Sequence, residues 1–346
     1  MILSCTQSEF VSLMYDRLGK GKRHAALLYS QWFKTGKMDP ISWAEPQALP
    51  LVEEMLQHVE KSLPSIVSEQ RDGDTTKFLL KLSDGLETES VLIPMQAGVT
   101  LCISSQVGCK MGCSFCETGR MGLLRSLSVS EIISQVFVAR FILNSPVRNI
   151  VFMGMGEPFD NYDNVMQAIR VLTDPSGLGF GPSRITVSTS GCVDELYRFM
   201  QDADPAVNLA VSINAPTDEI RDRIMPVNHQ WNLETLKKAL VEYCKHPRRE
   251  ILIEYVLLKD LNDSLECADQ LAMLLQGLKV KVNLIPYNSQ RKSRFQAPEE
   301  ETQETFAKRL SEKGYQVFLR RHKGRGIMAA CGQLGNKELR KKWTKS

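Results

Sequence analysis

The chain is predicted to be an α/β protein in which a barrel or partial barrel of parallel strands follows a small helical unit and a short β extension. Strand-like and helix-like segments alternate from about residue 98 onward, which is typical of repeated βα units. About six such units in roughly 220 residues suit a barrel better than a short doubly wound sheet. The 43% apolar and 24% charged content is that of an ordinary globular protein, so a sizeable core is expected.

Residues 1–65 are predicted to form a helical accessory domain. Apolar residues recur at helical spacing over residues 10–14 and 49–56, and prolines punctuate the segment. A basic cluster near its middle makes contact with a polyanion a candidate role. The cluster comprises Lys20, Lys22, Arg23 and His24.

Two further segments complete the predicted organisation. Residues 66–97 are expected to form a β-hairpin extension, because the Asp84-Gly85 pair between two strand-like runs is a hairpin-turn signal. Residues 98–346 are expected to form the barrel and a basic C-terminal segment. The barrel strands are predicted at residues 99–104, 149–153, 184–190, 207–214, 251–257 and 280–285, with a last one at 315–319.

Several classes of protein do not fit this sequence. No stretch approaches the roughly 18 uncharged apolar residues of a membrane span, and the longest candidate, residues 136–143, is interrupted by Arg140. The first ten residues have no basic segment ahead of an apolar run, so a secretory signal is not expected. We therefore expect a cytoplasmic protein without a membrane partner, whose nine cysteines are mostly reduced thiols.

Charge is unevenly distributed along the chain. Residues 291–346 contain 15 Lys and Arg but only six Asp and Glu, although the formal net charge of the whole chain is only +3. Positive charge concentrated in one segment is typical of a protein that binds a polyanion. The alternative is a solvated basic tail, and charge alone does not decide between the two.

Three cysteines within eight residues give the strongest chemical signal. Cys109, Cys113 and Cys116 follow directly after the first barrel strand, and a compact loop with three thiolates can surround one soft metal centre. A four-cysteine zinc site usually has two separated CxxC pairs, and the sequence has no second pair. Three close cysteines without a fourth suit a 4Fe–4S cluster with one iron open to another ligand.

Polar residues follow several of the predicted parallel strands. The carboxyl ends of barrel strands meet at one face, where the sites of barrel enzymes lie. The Gly-Met-Gly-Glu-Pro segment at 154–158 combines glycines, which permit close backbone approach, with Glu157, which can pair with an ammonium group. Residues 188–191, 212–214 and 286–288 end other strands. Together with the cysteine cluster these segments indicate a cofactor site.

Three segments resemble those of a known family. They are the cluster with the Thr-Leu-Cys-Ile-Ser-Ser-Gln-Val-Gly-Cys run at 100–109, the segment 154–158, and Ala-Ala-Cys-Gly-Gln-Leu at 329–334. The CxxxCxxC spacing resembles the signature of radical S-adenosylmethionine enzymes, and the three segments together resemble the RlmN/Cfr family of RNA (adenine) methyltransferases. The resemblance implies a radical-SAM-type partial (β/α)6 barrel, a 4Fe–4S cluster on the three cysteines, S-adenosylmethionine on the open iron, an external one-electron reductant and an RNA substrate.

The resemblance also implies a set of cofactor-binding residues. The positions that match the family's S-adenosylmethionine contacts are Gly156, Glu157, Ser188, Ser212, Ile213, Asn214 and Asn288. Asn214 stands where the family usually has histidine, and because asparagine can both donate and accept, we expect binding to survive. Glu117 replaces a residue that is usually small in the family, and the sequence predicts no consequence of that change.

A two-thiol reaction is a further implication of the resemblance. An sp² C–H of adenine is not nucleophilic, so direct methyl transfer from a sulfonium fails. In the family, one S-adenosylmethionine methylates the cysteine that matches Cys331, and a second gives the 5′-deoxyadenosyl radical that activates the S-methyl group. Glu89 matches the base that accepts the ring proton, and Cys102 matches the thiol that releases the product by a transient disulfide with Cys331. Without the resemblance, Glu89 would be interpreted as an exposed strand carboxylate.

The sequence therefore predicts an enzyme that methylates a ring carbon of adenosine. The residues do not decide between C2 and C8 or between ribosomal and transfer RNA. The resemblance favours C2 of large-subunit ribosomal RNA, with transfer RNA as a further candidate. The alternative is a radical S-adenosylmethionine enzyme with a non-RNA substrate, against which the basic C-terminal region and the Cys331 motif argue. A plain iron–sulfur electron carrier or RNA-binding module would have no use for the segment 154–158 and the polar strand ends.

Overall fold

The computed structural model describes residues 1–59, 63–290, 293–320, 327–328 and 331–335. The strands are β1 (Ser65–Asp72), β2 (Thr75–Lys81), β3 (Glu87–Met95), β4 (Gly98–Cys102), β5 (Gln106–Val107), β6 (Arg125–Ser126), β7 (Val147–Phe152), β8 (Ile185–Thr189), β9 (Asn208–Ser212), β10 (Ile251–Leu257), β11 (Val280–Pro286) and β12 (Gln316–Leu319). The helices are α1 (Gln7–Leu18), α2 (Lys22–Thr35), α3 (Leu49–Gln57), α4 (Glu117–Met121), α5 (Val129–Phe137), α6 (Tyr162–Thr173), α7 (Val193–Asp202), α8 (Asp218–Ile224), α9 (Leu233–Cys244), α10 (Leu265–Leu275) and α11 (Glu300–Glu312). Among the described residues, no helix combines the length and the apolar character needed to cross a bilayer.

The parallel part of the main sheet is the barrel that the sequence predicts. Strands β4, β7, β8, β9, β10, β11 and β12 lie side by side in that order, and each neighbouring pair is parallel. Helices separate successive strands along the chain, as parallel connections require. Because β1 and β12 are the two edges of the described sheet, the barrel is partial. The predicted α/β class and all seven predicted strands are confirmed.

The β extension has three strands where the sequence predicts two. Strands β2 and β3 pair antiparallel as expected, and Gly85 adopts the left-handed φ of +84° that the turn between them requires. Strand β1, which the sequence patterns do not predict, pairs with β2. Its residues are mostly exposed, so it lacks the apolar alternation by which strands are recognised. Strand β3 pairs with β4, so the extension continues the barrel sheet.

The N-terminal helices pack against the helix that precedes β7. Trp32 of α2 stacks on Phe137 of α5 with ring centroids 4.4 Å apart, and Phe33 meets the same ring edge-on at 6.5 Å. All three side chains are buried in the common core. Gly36, which ends α2 at φ +70°, is also required here, since a Cβ at this position would lie 2.7 Å from the ring of Phe141.

Replacing Phe137 with alanine is expected to lower the free energy of unfolding by about 3–5 kcal/mol, because it leaves a cavity between α5 and α2. Ile142→Ala lies five residues further along and is the matched control, since its side chain is 54% exposed. The control should change stability by less than about 0.5 kcal/mol. Urea denaturation followed by circular dichroism measures both variants, and equal losses would contradict the packing described.

Candidate active site

The carboxyl ends of the parallel strands meet at one edge of the sheet, and a cavity opens there. Its walls come from the cysteine loop after β4, from the ends of strands β7 to β11 and from residues 331–335. Three of the predicted site residues, Cys102, Glu89 and Ile213, are buried outside the cavity lining. The predicted site residues that line it are Cys109, Cys113, Cys116, Gly156, Glu157, Ser188, Ser212, Asn214, Asn288 and Cys331.

The cysteine loop is closed by a close approach that only glycine permits. A Cβ on Gly108, which has φ +81°, would lie 1.9 Å from the carbonyl oxygen of Gly122. The backbone N–H of Cys109 donates to that same oxygen at 3.2 Å. Further along the loop, the N–H of Ser114 donates to the carbonyl oxygen of Ile224 at 2.9 Å, which ties the loop to the end of α8.

The chemistry of the three thiols fits a thiolate-bound cluster. Burial raises the pKa of Cys109, Cys113 and Cys116, that of Cys113 to about 12. Thiolates at these positions therefore need a cationic partner, which a bound iron–sulfur cluster supplies. In the described part of the chain, no group of three or more His, Cys, Asp or Glu side chains is arranged to hold a single metal ion.

The glycines of the segment 154–158 are required by packing within the chain. A Cβ on Gly154 would lie 2.6 Å from the carbonyl oxygen of Ile103, and one on Gly156, at φ +104°, would lie 2.6 Å from Cβ of Gln106. Both neighbours belong to the chain just after β4. The close approach therefore joins the ends of β4 and β7 and carries Glu157 to the wall of the cavity.

Glu157 presents a buried carboxylate to the cavity. Its Oε2 accepts from the N–H of Ser190 at 2.7 Å, and its Oε1 accepts from the N–H of Phe159 at 3.1 Å. Burial raises the pKa of this carboxyl group, and the two backbone donors oppose that shift by stabilising the charged form. A carboxylate held in this way can bind the ammonium group of a ligand.

A fully buried arginine fixes the two strand ends that carry the predicted serines. Arg221 donates to the carbonyl oxygen of Ser190 at 2.6 Å, to that of Ser212 at 3.2 Å and, through Nε, to that of Ile213 at 3.1 Å. Ile213 thus contributes backbone to the site, since its side chain is buried in the core. The sequence analysis did not predict a role for Arg221, because a buried arginine on a helix cannot be distinguished by sequence from an exposed one.

The two polar atoms of the Asn214 side chain have different partners. It adopts a left-handed φ of +56°, which asparagine tolerates better than most residues. Its Oδ1 accepts from the N–H of Val256 at 2.8 Å, whereas its Nδ2 lies 3.2 Å from Sδ of Met225. A thioether is a weak acceptor, so Nδ2 is the group that a bound ligand can recruit.

The segment with Cys331 is docked between the cysteine loop and the end of β11. Nε2 of Gln290 donates to the carbonyl oxygens of Phe115 at 2.6 Å and Gly332 at 2.8 Å. Nδ2 of Asn288 donates to the carbonyl oxygen of Cys331 at 3.3 Å. These bonds bring the predicted methyl carrier to the wall of the cavity that the three cluster cysteines line.

Glu117 supports the same junction, which gives its unusual identity a structural explanation. Its carboxylate forms an ion pair with Arg120, and the Arg120 guanidinium also donates to Oε1 of Gln290 at 2.9 Å. The backbone N–H of Glu117 donates to the carbonyl oxygen of Gly332 at 2.7 Å. The charge at position 117 therefore helps to orient the amide that holds the segment 331–335.

Cys102 and Cys331 share an arginine. Nη1 of Arg320 lies 3.7 Å from Sγ of Cys331. Cys102, at the end of β4, is buried, and burial raises its pKa to about 12, an effect that the Cys331 thiolate reinforces and the Arg320 charge opposes. The two cysteines that the sequence singled out therefore lie within electrostatic range of each other.

Glu89 is not an exposed strand carboxylate. Only 6% of the residue is exposed, and its Oε1 accepts from the N–H of Gly335 at 3.3 Å. Its Oε2 lies 3.5 Å from Nζ of the buried Lys77. Burial raises the pKa of Glu89, while the Lys77 charge and the Gly335 donor oppose that rise. The carboxylate thus lies against the segment that carries Cys331.

Glu254 is a cavity residue that was not among the predicted site residues. It lies in the middle of β10 and is 5% exposed. Its Oε2 accepts from Nδ2 of Asn283 at 2.7 Å, and its Oε1 has no hydrogen-bond partner among the described residues. The sequence offers one signal that could have identified Glu254. It is a single carboxylate inside the apolar run of a buried strand, where an unpaired charge is costly.

Part of the basic C-terminal region lies outside the described residues. The sequence predicts that Arg320, Arg321, Lys323 and Arg325 contact a polyanion, and the last three lie outside the described residues, as do Ala329 and Ala330 of the Cys331 motif. Arg320 belongs to the same basic run, but the structure directs its guanidinium toward Cys331. In the N-terminal cluster, Lys20, Lys22 and Arg23 lie among residues that are exposed or half-buried.

Known proteins resemble this chain over most of its length. The radical SAM superfamily matches residues 103–271. A probable dual-specificity RNA methyltransferase, RlmN 1, of Protochlamydia amoebophila (strain UWE25) is 54% identical over 99% of this chain and 95% of its own length. The dual-specificity RNA methyltransferase RlmN of Geobacter sulfurreducens is 44% identical over 92% of this chain and 88% of its own.

A solved structure extends the similarity to three dimensions. The crystal structure of a radical SAM methyltransferase from Sphaerobacter thermophilus matches with a TM-score of 0.88 and 35% identity, over 96% of this chain and 98% of that one. This match confirms the predicted fold class, and the sequence matches confirm the predicted family. The chain therefore belongs to the RlmN family of radical S-adenosylmethionine RNA methyltransferases.

Proposed function

We propose that this enzyme methylates a ring carbon of adenosine, C2 in preference to C8, in large-subunit ribosomal RNA, with transfer RNA as a further substrate. One observation carries the proposal: the cysteine loop, Cys331 and the strand-end polar groups surround a single cavity, with Cys102 and Glu89 buried next to it. The relatives named dual-specificity RNA methyltransferases support RNA as the substrate. A non-RNA substrate is the weaker alternative, because the relatives are named RNA methyltransferases and the Cys331 motif and the C-terminal charge both favour RNA.

The residues present fit the cofactors that the family implies. When bound, a 4Fe–4S cluster and S-adenosylmethionine supply the methyl group and, with an electron from an external reductant, the radical chemistry that activates it. Cys109, Cys113 and Cys116 would hold the cluster. The residues proposed to hold S-adenosylmethionine are Gly156, Glu157, Ser188, Ser212, Ile213, Asn214 and Asn288. Two molecules of S-adenosylmethionine are consumed per turnover, because one donates the methyl group and the other initiates the radical.

Three side chains have distinct roles in the proposed reaction. The sulfur of Cys331 accepts the methyl group and becomes S-methylcysteine, and its activated methylene forms a covalent bond to the ring carbon. Glu89 accepts the proton that leaves that carbon, and the one surplus electron of the adduct would pass to a bound cluster. Cys102 then attacks the sulfur of Cys331 as a thiolate, and the carbon–sulfur bond breaks with its electron pair on carbon. That carbon takes up a proton and becomes the product methyl group, and a transient disulfide remains. The Lys77 ammonium favours the ionised form of Glu89, which a base requires.

The proposed division of the chain assigns one task to each part. Residues 1–65 form an accessory domain that contacts RNA through the basic cluster at Lys20, Lys22 and Arg23. Residues 66–97 carry Glu89, and residues 98–346 contain the barrel and the basic C-terminal segment. Phosphate contacts from both ends of the chain would position the RNA without reading its sequence.

The cluster assignment predicts an all-or-none dependence on each cysteine. Anaerobically reconstituted protein should hold about four irons per chain, and Cys109→Ala, Cys113→Ala or Cys116→Ala should each abolish this content. Cys244→Ala is the matched control, because Cys244 lies on α9 away from the cavity lining. Iron analysis and the visible absorption spectrum measure the outcome. A full cluster in the variant of Cys109, Cys113 or Cys116 would show that the ligands are misassigned.

The two-thiol assignment predicts opposite phenotypes for the two cysteines. Cys102→Ala removes only the release step, so a covalent protein–RNA species through Cys331 should accumulate. Cys331→Ala removes the acceptor, so neither methylated RNA nor an adduct should form. Glu89→Gln should also retain adduct, because the ring proton must leave before the carbon–sulfur bond breaks. A denaturing gel of nuclease-treated protein and peptide mass mapping decide the matter, and methylation by Cys331→Ala would refute the mechanism.

RNA affinity is predicted to depend steeply on salt. If Arg321, Lys323 and Arg325 bind phosphates, replacing all three with glutamine should flatten the plot of log K against log salt by about 0.7–0.9 for each phosphate no longer neutralised. A control that replaces exposed Lys238, Lys245 and Lys308 with glutamine should leave the slope unchanged. An unaltered slope in the first variant would assign the C-terminal charges to a solvated tail.

A further inference from the structure

The arginine that approaches Cys331 has no task in the reaction as set out above. We propose that Arg320 is a positioning residue for both thiols, whose guanidinium stabilises whichever of Cys331 and Cys102 is ionised, with Glu254 as its counter-charge. The roles of these two thiols in methyl transfer and product release rest on the proposed function. The test of the proposed role of Arg320 needs neither RNA nor S-adenosylmethionine.

The backbone of Arg320 fixes the direction of its side chain. Arg320 follows β12 directly, and its N–H donates to the carbonyl oxygen of Leu284 on β11 at 2.9 Å, so the strand ladder continues to this residue. Its Nη1 then lies 3.7 Å from Sγ of Cys331. The strand pairing thus fixes the backbone from which Arg320 reaches Cys331. This distinguishes Arg320 from a residue of a basic run that faces solvent.

Glu254 provides the opposite charge from β10, which β11 separates from β12. Glu254 lines the cavity, and its Oε1 has no hydrogen-bond partner among the described residues, while Asn283 holds its Oε2. Burial raises the pKa of Glu254, and Arg320 opposes that rise. For Arg320 itself, burial disfavours the cation, but the negative charges of Glu254 and of whichever thiol is ionised oppose this, and the pKa of the guanidinium is raised.

Two charged groups act on the Cys331 thiol. Arg320, directly after β12, approaches its Sγ to 3.7 Å, and Glu254 of β10 lines the same cavity. Cys331 in turn raises the pKa of Cys102, at the end of β4. Burial raises the pKa of Cys331, Arg320 opposes that rise and Glu254 adds to it. The proposal therefore predicts that removing Arg320 and removing Glu254 have opposite effects on the thiol, whereas loss of a purely structural contact would not change sign between the two.

Each thiol needs this cation at a different step. When Cys331 accepts a methyl group, its thiol proton has left, a sulfur lone pair forms the S–CH₃ bond, and the sulfonium bond breaks toward the donor sulfur. The thiolate is the nucleophile in that step. At release Cys331 is a neutral thioether, and Cys102 must be ionised to attack it. One guanidinium can therefore serve the two thiols in turn, because only one of them is an anion at a time.

The test is the pH dependence of alkylation of Cys331 in the anaerobically reconstituted protein. Iodoacetamide is the probe, and peptide mass spectrometry measures the modified fraction over about pH 6–10. Arg320→Gln should displace the profile by about one pH unit to higher pH, which lowers the rate near neutral pH about tenfold. Glu254→Gln should displace it to lower pH. Arg320→Lys keeps the charge and should give a smaller upward displacement.

Two controls accompany each measurement. Alkylation of half-buried Cys244, read from the same digest, should be unchanged in every variant. Arg198→Gln, which removes an exposed arginine, should leave the Cys331 profile in place. If Arg320→Gln fails to load its cluster, the opposite displacements of Arg320→Lys and Glu254→Gln decide the question.

An unmoved Cys331 profile in Arg320→Gln would overturn the proposal. Displacements of the same sign in the Arg320 and Glu254 variants would also overturn it, because that pattern reports general loosening of the site. This test is independent of the proposed function. If the alkylation profiles are displaced but the unaltered protein does not methylate RNA, the electrostatic role of Arg320 is retained and RNA is rejected as the substrate.

Discussion

The side-chain amide of Gln290 joins two parts of the site that are far apart in the sequence. It donates to the cysteine loop at Phe115 and to the Cys331 segment at Gly332, while Arg120 and Glu117 orient it from α4. Because Gln290 lies only four residues after the end of β11, the contact is anchored to the carboxyl end of a barrel strand. The distance between the proposed cluster and the proposed methyl carrier therefore depends on the barrel strands.

Buried charge is the second feature that organises the site. Glu157, Glu254 and Arg221 are nearly or fully buried, and each is stabilised by backbone donors, an amide or carbonyl oxygens. Removing such groups from water costs several kcal/mol each unless they are paired, so their concentration at one edge of the sheet has a functional rather than a stabilising explanation. In the same low-dielectric surroundings, the Lys77 charge favours the ionised form of Glu89, and we propose that the Arg320 charge does the same for the thiols.

Sequence patterns predict the parts of this molecule that are encoded locally. The spacing of Cys109, Cys113 and Cys116 and the alternation of βα segments needed no structure to be recognised. Cys102 and Glu89 were found only through the family resemblance, since neither stands out from its neighbours. Arg221, Glu254 and Gln290 act through partners on other segments of the chain, and no local pattern encodes such pairing. In sequence Arg320 is one member of a basic run, because its contact with Cys331 arises only when β12 joins the sheet.

We propose that this chain places a methyl group on a ring carbon of adenosine through the sulfur of Cys331. The most direct measurement is mass spectrometry of the nucleosides from RNA treated with the reconstituted protein or with Cys331→Ser, which resolves the methyladenosine isomers. The account predicts C2-methyladenosine with the unaltered protein and no carbon-methylated adenosine with Cys331→Ser. Carbon methylation by Cys331→Ser, or methylation only at nitrogen by the unaltered protein, would contradict it.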